Sequence, residues 1–92
     1  MGKQDVFVTK QLIQDMTEDR KFQTEVINAV MRFMDNDWGD LCEEDKELNV
    51  EALKDGGRIL AAYETSNGKV YIITDDTAAT PQVTTVLYAS EY

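Results

Sequence analysis

Asn67-Gly68 lies between two runs of aromatic, aliphatic and β-branched residues, R-I-L-A-A-Y-E-T from Arg58 and K-V-Y-I-I-T-D-D from Lys69. That dipeptide is the strongest short-range hairpin signal, because both residues tolerate the positive φ of a type I′ turn. A further run, V-T-T-V-L-Y, follows Thr80-Pro81. Residues 58–88 therefore read as a three-stranded antiparallel meander in an α+β fold. Along it Ile59, Ala61 and Tyr63 alternate with Leu60, Ala62 and Glu64, and Val70 and Ile72 with Tyr71 and Ile73. Alternating side chains point to opposite faces, so both faces are fairly apolar. One is expected to meet a helix; the other, to be partly covered by the N-terminal segment or by a second copy of the chain. T-A-A-T-P-Q from Thr77 is too long for a tight turn and reads as a mobile loop.

Upstream, Phe22, Val26, Ala29, Val30 and Phe33 recur at helical spacing, with Ile27 and Met34 beside them, and predict one long helix from Arg20 to about Asp35 packed across the sheet. Thr17, followed by Glu18 and Asp19, is the candidate cap, since negative charge suits a helix N-terminus. Thr9 is placed to cap a short helix from Lys10 to about Met16, with Leu12, Ile13 and Met16 on one face. Asp5–Val8 reads as an added strand or a packing arm. Asn36 and Gly39 reverse the chain after the long helix, and Trp38 beside them is expected to plug the end of the core. Leu41 to about Leu53 is a weaker helix with Leu41, Leu48, Ala52 and Leu53 as its apolar side, which Asn49 either interrupts or caps. Lys54-Asp55-Gly56-Gly57 is a break before the sheet.

Ninety-two residues make one domain (residues 1–92), near the lower end for a comfortable core. The start, Met-Gly-Lys-Gln-Asp, lacks the apolar centre of a signal peptide, Cys42 has no partner for an internal disulfide, and no run reaches the roughly 18 apolar residues of a membrane span. A soluble, intracellular protein is expected. With no histidine and a single cysteine, the Ser-His-Asp, Cys-His and zinc-site constellations are missing, as are the glycine-rich phosphate cradles. Adjacent acids such as Asp75-Asp76 and Glu43-Glu44 read as solvated surface. An EF-hand counted from Asp35 fails, because its sixth and twelfth positions hold Asp40 and Lys46 where glycine and glutamate are needed. Neither a cofactor nor a metal is expected, and the chain reads as non-enzymatic.

Charge is the outstanding compositional feature: 18 acidic against nine basic residues, net −9. That balance opposes direct nucleic-acid binding and favours basic protein surfaces. Between residues 35 and 55 there are nine carboxylates, Asp35, Asp37, Asp40, Glu43, Glu44, Asp45, Glu47, Glu51 and Asp55, against Lys46 and Lys54 alone. Carboxylates spaced along a helix and loop can replace phosphates as partners for Arg and Lys, so these nine are the candidate partner-binding residues, with a solvated helix face as the plainer reading.

D-W-G-D at residues 37–40, E-D-K-E-L-N at 44–49, G-G-R-I-L-A-A-Y-E-T-S-N-G-K-V-Y-I-I-T-D at 56–75 and V-T-T-V-L-Y-A-S-E-Y at 83–92 resemble a family of short proteins carried by plasmids and phages of gut bacteria. The likeness spans Trp38 to Tyr92; the preceding helix is similar only in pattern. The chain departs from it at Thr77–Gln82, where a D-R-S-like turn is expected, and at Tyr88-Ala89, where an aromatic-Pro pair is. Most members are described only as plasmid-related proteins. Small acidic proteins of such elements include anti-CRISPR inhibitors of Cas9-type nucleases, which this chain is similar to in size and charge. The resemblance implies a bacterial cytoplasmic protein that binds the basic DNA- or PAM-engaging surface of such a nuclease, with or without guide RNA, as monomer or homodimer. The alternative it leaves open is an accessory of plasmid maintenance or conjugation, acting through a homodimer or another protein partner.

Overall fold

A computed structural model describes residues 4–92. Met1–Lys3, part of the N-terminal stretch read above for signal-peptide character, lie outside the described residues. The fold is α+β: β1 (Gln4–Val8), α1 (Lys10–Glu18), α2 (Arg20–Met34), α3 (Glu43–Asp55), β2 (Ile59–Thr65), β3 (Gly68–Thr74), β4 (Gln82–Tyr88) and a closing 3-10 turn (Ala89–Glu91). The strands form one four-stranded sheet in the order β1-β4-β3-β2. The meander is antiparallel, and β1 adds to it parallel to β4, with Phe7 opposite Thr85. Asp5–Val8 is thus a strand of the sheet and does not cover a face of it. Among the described residues no helix is long and apolar enough to cross a membrane.

α2 forms where the apolar spacing predicts it and buries Phe22, Val26, Ala29 and Phe33. These meet Ile59, Ala61, Tyr63, Val70, Ile72, Val86 and Tyr88 on one face of the sheet, with Leu12 of α1 completing the core. The cap of α2 is Asp19 and not Thr17: the Asp19 carboxylate accepts from the Phe22 amide at 3.2 Å, whereas Thr17 lies inside α1 and donates to the Ile13 carbonyl. α1 therefore continues to Glu18, and a single extended residue separates the two helices. Thr9 does occupy the N-cap position of α1, but its hydroxyl donates to Glu91 at 2.9 Å. Glu91 also accepts from the Tyr88 amide, so the C-terminal turn is tied to the β1–α1 junction. The Tyr88 hydroxyl donates to Asp15 of α1; burial, then that carboxylate, push the phenol up to about 12.

The hairpin falls where Asn67-Gly68 predicts it, with a different turn. Ser66 and Asn67 are its central residues, Thr65 pairs with Gly68, and only Gly68 takes a positive φ, 109°. Glu25 of α2 explains the shift, because its carboxylate accepts from both the amide and the hydroxyl of Ser66. The 77–82 loop is tethered rather than free. Asp76 accepts from the Gly57 and Ala78 amides, Thr77 donates its amide to the Gly57 carbonyl and its hydroxyl to the Ala52 carbonyl, and the Gln82 side-chain amide donates to the Thr77 carbonyl.

Candidate partner-binding surface

The nine carboxylates fall on two structures, a hook at residues 35–40 and the helix α3, both fastened to the outer edge of β2. A terminal strand exposes alternate N–H and C=O groups that seek partners. On β2 those groups belong by alternation to Leu60, Ala62 and Glu64, and the first two are covered. The Asn49 side chain serves Leu60 as a neighbouring strand would: its amide donates to the Leu60 carbonyl at 2.9 Å and its oxygen accepts from the Leu60 amide at 3.2 Å. The hook serves Ala62, which donates to the Trp38 carbonyl and accepts from the Asp40 amide. Asn49 thus neither interrupts nor caps α3; it is buried mid-helix and locks α3 to the sheet.

Glycine is required at the hook. A Cβ on Gly39 would lie 2.0 Å from the Ala62 carbonyl oxygen and 2.8 Å from the Tyr63 ring, at a φ of +74°. Trp38 plugs the core as expected, being 7% exposed. Its indole N–H finds no acceptor among the described residues, beside a cavity of about 150 Å³ that it lines with Phe33, Leu53 and Gln82. Asp37 is committed within the chain. Its two oxygens accept from Arg32 at 2.8 and 3.2 Å and one also from the Gly39 amide, while its carbonyl accepts from the Tyr63 hydroxyl at 2.6 Å. The bonds from Arg32, then from Gly39, hold the Asp37 carboxyl below the usual carboxylate range, and the same contact raises Arg32. Burial, reinforced by Asp37, raises the Tyr63 hydroxyl well above its ordinary value. Asp35 closes α2 and Asp40 ends the hook, both with exposed side chains.

α3 carries the rest. Glu43, Glu44 and Asp45 occupy its first turn, where the helix dipole favours them. Glu47, Glu51 and Asp55 continue along it, and all six are exposed. By helical spacing Glu44, Leu48, Glu51 and Asp55 share one flank, and Glu43, Glu47 and Lys54 point outward. Lys46 lies 3.8 Å from Glu43. Leu48 and Leu53, read from the sequence as the buried side of this helix, are 60% and 46% exposed, whereas Asn49 and Ala52 are buried. The helix rests edge-on against β2, so only a narrow strip of it is covered.

Two residues that the charge count did not single out complete the surface. Arg58 stacks over the Tyr92 ring at 5.0 Å, and with Asp45, Leu48, Asn49 and Leu60 they line a hollow of about 230 Å³ beside α3. The position of Arg58, just after the Gly-Gly break and next to the acidic run, is the only sequence signal that points there. Cys42 is free and exposed at the N-cap of α3. Among the described residues no group of three or more Asp, Glu or Cys is placed to hold a metal ion. Comparison with protein-family models, with curated proteins and with solved structures finds no match to this chain.

Proposed function

We propose that the chain is a non-enzymatic inhibitor that presents α3 and the adjoining hook to the basic, nucleic-acid-engaging surface of a protein, with a guide-loaded Cas9-type nuclease as the target. The observation that carries this reading is the charge density of α3. Thirteen residues at ~1.5 Å each span about 20 Å. Six exposed carboxylates along that length give roughly one per 3.3 Å, against about 3.4 Å per charge along one DNA strand. Lys46, beside Glu43, and Lys54, at the end of the outward row, lower the net density. Carboxylates held on a helix form charge-assisted bonds with Arg and Lys much as phosphates do. Among the described residues, eight of the nine candidate carboxylates, all but Asp37, carry no bidentate pairing that would withdraw them from a partner.

On this reading the protein acts in a bacterial cytoplasm, where a mobile element gains from disabling a defence nuclease, as the sequence motifs' resemblance to plasmid- and phage-borne proteins suggests. The test is target-DNA loading and cleavage by guide-loaded Cas9 with excess protein. Native protein is expected to slow both, and E43Q/E44Q/D45N/E47Q to lose the effect while folding normally. Unchanged cleavage at excess native protein overturns the proposal.

A further inference from the structure

We infer that the cavity beside Trp38 is a binding site for a small neutral molecule that offers one hydrogen-bond acceptor on an apolar body the size of a six-membered ring. The cavity, about 150 Å³, lies between the end of α2, α3 and the 77–82 loop. Phe33, Leu53, Ile59 and the Trp38 ring give it apolar walls. Those walls are pinned before any ligand arrives. The Trp38 carbonyl accepts from the Ala62 amide, so the hook cannot withdraw the indole without uncovering β2. Opposite, the Thr77 hydroxyl donates to the Ala52 carbonyl and fastens the loop to α3. Met34 and Leu53, which also line the cavity, are 49% and 46% exposed, so solutes can reach it from outside.

The lining selects the ligand. The indole N–H of Trp38, on a side chain 7% exposed, has no acceptor among the described residues, and a buried donor without a partner gives up its hydration for nothing in return. The other buried or half-buried polar side chains of the lining are engaged within the chain. Thr74 shares a bond with Thr84, Thr77 donates to Ala52, and the Gln82 amide donates to the Thr77 carbonyl. A water molecule there gains the indole as its one new partner, short of the two to four that hold an internal water. A dry apolar cavity of about 150 Å³ takes benzene; an unpaired donor on the wall adds a preference for an acceptor atom. Among the described residues no charged side chain lines the cavity, so an ionic ligand would go uncompensated and a neutral one is favoured.

None of the nine candidate carboxylates lines this site, so it is tested without a nuclease and fails independently of the proposed inhibition. The chain has a single tryptophan, and one indole N–H signal therefore reports on it. The experiment is an NMR titration of the purified chain with cyclohexanone, which carries an acceptor, and with benzene, a ring of the same size without one. Cyclohexanone is expected to move the indole proton downfield along a saturable curve and to bind several-fold more tightly than benzene. W38F, read at the Ile59 methyl signals, is expected to lose that preference. L53F, which keeps the indole and fills the mouth at a half-exposed position, is expected to lose both ligands. A shift that never saturates, equal affinities for the two probes, a preference retained in W38F or binding unchanged in L53F overturns the inference. So does an indole N–H whose partner is still water at the highest cyclohexanone concentration.

Discussion

Along β2 the outward-facing groups of Leu60 and Ala62 are all engaged, by Asn49 and by the Trp38–Asp40 hook, whereas at the other end of the sheet no described segment pairs with the outer side of β1. Exposed edges invite pairing with other chains, and proteins commonly blunt them with charge or cover. Here the cover on one edge is itself the acidic surface. Finishing β2 with a helix that is held by only two buried residues leaves nearly all of that helix free to carry charge. The open edge, in contrast, carries the exposed apolar side chains of Val6 and Phe7. One edge is closed by a device that presents carboxylates; the other has no cover among the described residues.

Substitutions at the closed edge should therefore have the largest effects. G39A drives a Cβ into the Ala62 carbonyl and requires a left-handed residue to carry a side chain. A loss of about 3 kcal/mol or more is expected by chemical denaturation, and a loss under ~1 kcal/mol would break the account of the hook. N49A strands both backbone groups of Leu60 and is expected to cost about 2 kcal/mol. N49D sharpens that prediction: it keeps an acceptor for the Leu60 amide but has no donor for the carbonyl, so Leu60 amide exchange should accelerate less in N49D than in N49A.

At the open edge V6T, at a site 43% exposed, should change stability by no more than ~0.5 kcal/mol. A loss as large as that of N49A would erase the contrast between the edges. The smallest effect is in pH. Because Arg32 and Gly39 depress the folded pKa of Asp37 below its ordinary 3.8, the contribution of this pair is complete above that value and fades as pH falls through the lower folded value. Titration of the Asp37 carboxyl by NMR should show the depression, and R32Q should largely remove it.

The hairpin and α2 were legible because their signals are local: a turn dipeptide between alternating runs, and a stripe with helical period. The errors have a common source in distant partners. Thr17 and Asp19 both suit a helix N-cap, and what decides between them is how far α1 extends. The turn type at Ser66-Asn67 follows from Glu25, which lies on another element. Asn49 suggests an interruption when only its helix propensity is weighed, yet its spacing from Ala52 puts both on one buried strip. The position of D-V-F-V in the sheet has no local signature, since four residues do not specify which strand they join. For the candidate surface, the concentration of carboxylates could be counted directly. The withdrawal of Asp37 into a bidentate pair, and the arrival of Arg58 and Tyr92 beside α3, depend on the folded chain.

The most direct test of the central claim is the salt dependence of binding to guide-loaded Cas9, compared between the native chain and E43Q/E44Q/D45N/E47Q. Affinity of the native chain should fall steeply as salt rises and that of the variant should be weak with a shallow slope, because exposed charge pairs are screened beyond about 8 Å at physiological ionic strength. Equal affinities and equal slopes for the two proteins would contradict the account, and would leave the charge of α3 with no part in binding.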